Sequence, residues 1–215
     1  MTYSVQDINN DVRIALEENE MSVPFIEISD NNTLSLNAII TQKIVHAVRS
    51  ITMDAPSSLL EGGTTFASTI QWESGTVGSG MGYTKLPDDF MRLVVFRMSD
   101  WKRPVTDVIQ DTNEKYFLQK SKFPGISGNV NKPVCAITTY EDGKTLEFYS
   151  CNGGPTVTVK AARYLPYPNF ENGSIYICPK LYTAVIYYTA ALACLTYKES
   201  EQAKTFFEIA KTYIQ

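Results

Sequence analysis

Histidine occurs once in the 215 residues, at position 46, and cysteine four times, at 135, 151, 178 and 194. A single histidine excludes any two-histidine zinc motif and obliges a Ser-His-Asp triad to be built around His46 alone. None of the cysteines forms the Cys-x-x-Cys pair of metal or thioredoxin-like sites, so they read as reduced core thiols in a chain large enough not to need disulfides. No Gly-x-Ser-x-Gly elbow surrounds any serine. The glycines at 75, 78, 80 and 82 lack the Gly-Lys-Ser/Thr ending of a phosphate-binding loop and read as a flexible connection. Met1 is followed by neither the basic nor the apolar stretch of a signal peptide, so the expected compartment is a cytoplasm.

Neither sign of charge is in large excess. Lys plus Arg is 19 and Asp plus Glu is 23, a net charge of −4, too mild for a chain whose whole surface tracks nucleic acid. Any DNA contact is then local. Hydrophobic residues at 44% and charged residues at 20% exclude disordered, collagen-like and membrane classes. The length suits one domain, or one compact body with a second lobe. The apolar run from Leu181 to Tyr197 is short for a bilayer and carries Thr183, Thr189, Thr196, Tyr182, Tyr187 and Tyr188, which predicts a helix buried on several sides. Its apolar surface exceeds what a small bundle covers, and this points to subunit contacts.

What is present is helical at both ends and β-like between. Val5, Ile8, Val12, Ala15 and Leu16 keep helical spacing behind Ser4 and Asp7, with an end near Asn19. A second stripe, Leu36, Ile39, Ile40, Ile44, Ala47, Val48 and Ile51, predicts a helix from about Leu34 to Met53 that Pro56 stops. Residues 1–34 hold seven acids and one base, an acidic solvated face. Phe66, Ile70 and Trp72 suggest a strand between loops, and Leu86-Pro87-Asp88-Asp89-Phe90 leads into a strand over 91–98. Residues 105–120 allow a short helix under the sheet. Strands at 134–140, 144–150 and 156–161, turned at Asp142-Gly143 and Asn152–Pro155, predict a three-stranded meander with one buried face. Pro179 suits a helix start, and Leu181–Leu195 and Ala203–Ile214 carry the last two helical stripes.

The adjacent carboxylates Asp88 and Asp89 could serve acid/base or metal chemistry, but after Pro87 they read as caps of a short helical turn. No set of residues converges on a catalytic centre, so no enzyme, cofactor or metal is expected. Residues 85–132 carry nine bases against six acids, with Arg92, Arg97, Lys102, Arg103, Lys115, Lys120 and Lys122 among Trp101, Tyr116 and Phe117. That mixture suits nucleic acid, a protein interface or a plain solvated surface.

In order along the chain, two N-terminal helices, Leu-Pro-Asp-Asp-Phe-Met-Arg-Leu at 86–93, Lys-Pro-Val at 132–134 before a hairpin, Tyr164-Leu165-Pro166 and an Ala-rich helix pair together resemble the head-to-tail adaptor proteins of tailed bacteriophages. The closing helices of the resemblance are Ala184–Ala193 and Ala203–Tyr213. The Gly-rich loop at 74–82 and the connector at 121–133 depart from the pattern as local elaborations. What the resemblance implies is a structural virion protein: a homo-oligomeric ring of about twelve copies below the portal, extending the DNA channel and docking further ring or tail proteins. Short-tailed phages, crAss-like phages among them, stack several such rings. It further implies assembly in the host cytoplasm, no catalytic residues, no membrane, and DNA that passes through the lumen without specific binding. Rival readings are a glycan-binding module using exposed Tyr and Trp, or a phage-associated hydrolase using Asp88, Asp89 or His46.

The expected fold is α+β, a helical bundle of N-terminal and C-terminal helix hairpins (1–56 and 174–215) with an inserted antiparallel β-rich domain (57–173). Expected structural and interface residues are Leu86, Pro87, Asp88, Phe90, Arg92, Arg97, Trp101, Arg103, Tyr187 and Tyr188.

Overall fold

The computed structural model describes residues 1–16, 35–66, 70–72, 81–119, 121, 126–141, 143–149, 151 and 157–215. Its strands are β1 (Thr2–Ser4), β2 (Thr64–Thr65), β3 (Gln71–Trp72), β4 (Gly82–Lys85), β5 (Phe90–Met98), β6 (Ile109–Gln110), β7 (Val134–Tyr140), β8 (Gly143–Tyr149), β9 (Val159–Pro166) and β10 (Ser174–Tyr176). Its helices are α1 (Val5–Ala15), α2 (Leu36–Asp54), α3 (Glu114–Leu118), α4 (Tyr182–Thr196) and α5 (Ser200–Thr212). The chain divides into two units, Met1–Glu61 with Pro168–Gln215, and Gly62–Tyr167.

The first unit is built on α4. Ser4 and Ser35 start α1 and α2 by accepting from the backbone N–H of Asp7 and Ala38, at 3.1 and 3.3 Å. Ala55 closes α2 and Pro56 follows it. α1, α2 and α5 all pack on α4, whose Ala184, Val185, Ala190 and Ala191 are fully buried. Small side chains let neighbouring backbones come close on several sides of one helix. Leu195 is the large hydrophobic that α4 leaves exposed. The expected uncovered apolar face is therefore corrected: it is covered within the unit.

The second unit holds two sheets, ordered β2-β9-β5 and β3-β4-β8-β7-β6. Its core joins Phe66, Leu86, Phe90, Leu93, Phe96, Met98 and Trp101 to Leu146, Phe148, Ala162 and Tyr164. Phe96 lies edge-on to Trp101, with centroids 5.7 Å apart, and 5.3 Å from Phe148.

The expected helical bundle with a hairpin at each terminus is overturned. The chain is mixed α/β, with five α-helices and ten strands in three sheets among the described residues. It opens in a strand, β1, which pairs antiparallel with β10. Strands of three residues are too short to show alternation, so neither was visible in the pattern. The N-terminal helices also pack chiefly on α4 and less on each other. Nor is the insert wholly antiparallel, because β6 runs parallel to β7.

The meander is corrected too. β7 and β8 form the expected hairpin, with Tyr140 opposite Gly143 (φ +120°), whereas β9 leaves for the other sheet and lies between β2 and β5. Period-two alternation fixes which face a strand buries and says nothing of its neighbour. The expected strand around Phe66–Trp72 is two short ones, β2 and β3. The segment at 105–120 makes β6 and then α3, a short helix that leaves Phe117 exposed. The helix end near Asn19, Gly75, Gly78, Gly80, Asp142, Asn152–Pro155, Lys120 and Lys122 lie outside the described residues.

Candidate functional site

The two short motifs at 86–93 and 164–166 meet. β5 pairs with β9 so that Phe90 opposes Pro166, Arg92 opposes Leu165 and Leu93 opposes Tyr164. Leu86 is buried, Pro87 begins a turn closed by Phe90 N–H donating to the Pro87 carbonyl at 3.0 Å, and Phe90 is buried against Tyr164, with stacked rings 5.7 Å apart. The Tyr164 hydroxyl donates to Asp89 Oδ1 at 2.8 Å, and Tyr167 N–H donates to the Asp89 carbonyl at 2.8 Å. Burial, then the Asp89 carboxylate, pushes the Tyr164 phenol up to about 12. Of the two acids expected to cap a helical turn, Asp89 is the one bonded through its carboxylate here, and what it ties is a tight turn to the neighbouring strand, not a helix start. Asp88 is exposed.

The remaining expected residues fall into three groups. Arg92 and Arg97 are half-buried on β5, and Arg97 donates from its guanidinium to the Trp101 carbonyl at 3.3 and 3.2 Å. Trp101 is core, at 1% exposure, and Arg103 is exposed in the turn after it. Tyr187 stacks between Phe206 and Tyr213 at 6.2 and 6.0 Å, and Tyr188 meets Phe207 edge-on at 4.9 Å, so both close the α4–α5 pair.

A second constellation escaped the sequence. Glu147 on β8 is 1% exposed, and its carboxylate accepts from four hydroxyls: Thr138 (3.3 Å) and Tyr140 on Oε1, Tyr116 (3.1 Å) and Tyr149 (2.5 Å) on Oε2. Leu146 and Phe148 point into the core, which sends Thr145, Glu147 and Tyr149 to the opposite face. Cross-strand register then sets Ala136, Thr138 and Tyr140 beside them, and Tyr116 of α3 reaches over. Four donors match the four lone-pair positions of the two carboxyl oxygens, so this buried polar group is satisfied by hydroxyls. Tyr140 is pushed up to about 12, first by its hydrogen bond to Glu147, and Tyr149 higher still, first by burial. The signal that could have found it is the alternation Lys144-Thr145-Leu146-Glu147-Phe148-Tyr149, read together with Thr138 and Tyr140 across the hairpin.

Every hydroxyl of this cluster donates to the one carboxylate, so the cluster fastens β7, β8 and α3 together. His46 is exposed on α2. An open cavity of about 500 Å³ beside Phe66, Ile70, Val157 and Val159 is lined by no carboxylate or imidazole among the described residues. Among those residues no three His, Cys, Asp or Glu side chains gather to hold a metal ion. The four cysteines are buried free thiols, and burial raises those of Cys135, Cys151 and Cys194.

Neither a protein-family model nor a curated protein sequence matches the chain. Among the described residues no helix is long and apolar enough to cross a membrane.

Proposed function

We propose that the chain is a structural virion protein that forms a ring at the head–tail interface of a tailed phage, below the portal, where it extends the DNA channel and docks tail proteins. The observation that carries the reading is the meeting of two motifs taken from the adaptor resemblance, Leu86–Leu93 and Tyr164–Pro166, on neighbouring strands, tied by Asp89 and Tyr164. Their separation in sequence is 75 residues, so their pairing is a property of the fold and not of local composition. The chemistry supports a structural role as well: the buried polar groups described above are spent on holding elements together. The glycan-binding rival would rest on exposed aromatics such as Tyr140 and Tyr167, since Trp101 is core and Tyr187 and Tyr188 pack within the α4–α5 pair.

The test is the mass of the assembled protein, alone and with portal protein, followed by electron microscopy. A closed ring stacked on the portal is the expected outcome. A monomer that neither assembles nor binds a portal, or one that binds or cleaves glycan, would sink the reading.

A further inference from the structure

We infer that α3 is a strap latched by the Tyr116 hydroxyl on Glu147, and that it opens while the β7–β8 hairpin stays folded. Of its five residues Glu114, Lys115, Phe117 and Leu118 are exposed, and none is buried. Isolated helices shorter than about 12–15 residues are marginal in water, so α3 owes its order to contacts outside itself. Tyr116 supplies the contact with the sheet. Its hydroxyl donates to Glu147 Oε2 at 3.1 Å, and its ring lies edge-on to Tyr149, 6.5 Å away.

The donors on Glu147 divide unequally between elements. Thr138 and Tyr140 belong to β7, and Tyr149 belongs to β8 with Glu147 itself, so three of the four bonds lie within one hairpin. Tyr116 alone among the four comes from outside it. When α3 lifts, the carboxyl group keeps three donors and water takes the place of the fourth. A buried polar group is costly to unpair only where water cannot follow, and the departing strap lets it in.

The flanks of α3 are slight among the described residues. Ahead of it, β6 is a two-residue strand at the edge of its sheet, and Asn113 caps the helix from within the same segment, accepting from Lys115 N–H at 2.9 Å. Behind it, the Gln119 carboxamide accepts from Gly128 N–H at 2.8 Å. With no buried residue in α3, lifting it uncovers little apolar surface beyond the ring contact of Tyr116 with Tyr149. β8 differs: it is the central strand of five and carries Leu146 and Phe148 fully buried, so its amides open only with the whole unit. The strap therefore gates Glu147, which is 1% exposed when α3 is closed and turns one carboxyl oxygen to solvent when it is open.

The experiment is native-state hydrogen exchange of the full chain over a low-denaturant series, for the wild type, Tyr116→Phe and Tyr140→Phe. The reporters in α3 are the amides of Tyr116 and Gln119, bonded to the Asn113 and Tyr116 carbonyls at 2.9 and 3.1 Å. In the wild type they are expected to be protected yet to exchange through an opening that denaturant barely changes, while β8 amides follow global unfolding. Tyr116→Phe removes the latch and should speed α3 exchange by about fivefold or more. Tyr140→Phe removes a hydroxyl that stays on Glu147 whether the strap is open or closed. It should therefore speed β8 exchange and leave α3 unchanged. Equal acceleration of α3 by both variants, or one denaturant-dependent rate for α3 and β8, would show that the cluster opens as a single unit and overturn the strap. Unprotected α3 amides in the wild type, or α3 exchange indifferent to Tyr116→Phe, would overturn the latch. The wild-type series tests independent opening even where a variant folds poorly.

Discussion

At the scale of single residues, two side chains concentrate the interactions of the second unit. Phe90 is buried at the start of β5 and stacks on Tyr164. Phe90→Ala should cost about 3–5 kcal/mol, read from chemical or thermal unfolding, because it removes a ring from a closed core and leaves the Pro87 turn without its anchor. An unchanged melting temperature would place Phe90 at the surface. Glu147→Gln keeps the shape and turns one acceptor into a donor, which then faces two hydroxyls that also donate; a loss of about 1–3 kcal/mol is expected. The same variant carries a titration signature. Tyr140 is lifted to about 12 when folded against an ordinary value of 10.0, so the folded chain holds its proton while the unfolded chain releases it. Stability is therefore level below about pH 10 and declines as pH rises from there toward 12. In Glu147→Gln that alkaline decline should shrink, and ultraviolet titration should find Tyr140 ionising earlier. An unaltered phenol titration would show that Glu147 does not hold it.

At the scale of elements, the β2–β9 pairing depends on one glycine. Gly63 has φ +81°, and a Cβ there would stand 2.5 Å from the Tyr164 carbonyl oxygen. Gly173 has φ +72° before β10, but a Cβ there would meet nothing within 4 Å. Both Gly→Ala changes incur the left-handed cost of about 1–2 kcal/mol, and only Gly63→Ala adds a backbone clash. The expected ranking in thermal melts is Gly63→Ala well below Gly173→Ala, and equal losses would show that β2 yields to the added methyl. The start of β5 was legible at this scale because proline, acid and aromatic leave few local conformations open. The partner of β9 was not, because the alternation Thr156-Val157-Thr158-Val159-Lys160-Ala161 that announces it fits equally well beside β8 or β5. The Glu147 cluster was missed for the related reason that its members come from β7, β8 and α3, and their convergence is a matter of register.

At the scale of the whole molecule, the proposed channel role sets a limit on nucleic-acid affinity. DNA must slide during packaging and ejection, and each phosphate neutralised would add salt-dependent grip. With a net charge of −4, the assembled protein is expected to bind double-stranded DNA weakly at every salt concentration. Tight binding that falls steeply with salt, measured by fluorescence anisotropy, would place the bases of residues 92–103 in the lumen.

Sequence by itself determined the helical stripes, the buried thiols, the pairing of β7 with β8 as a hairpin and the approach to β5. All of these rest on contacts within a few residues or on the polarity of a single face. Tertiary structure alone decided that the chain opens in a strand paired with β10, that α4 is covered on several sides by helices from both ends of the chain, and that β9 joins β5. It also decided that Asp89 rather than Asp88 ties the turn, through Tyr164. These are choices of partner among surfaces of equal pattern. They are settled by how the whole core fills, a constraint that no window of sequence contains.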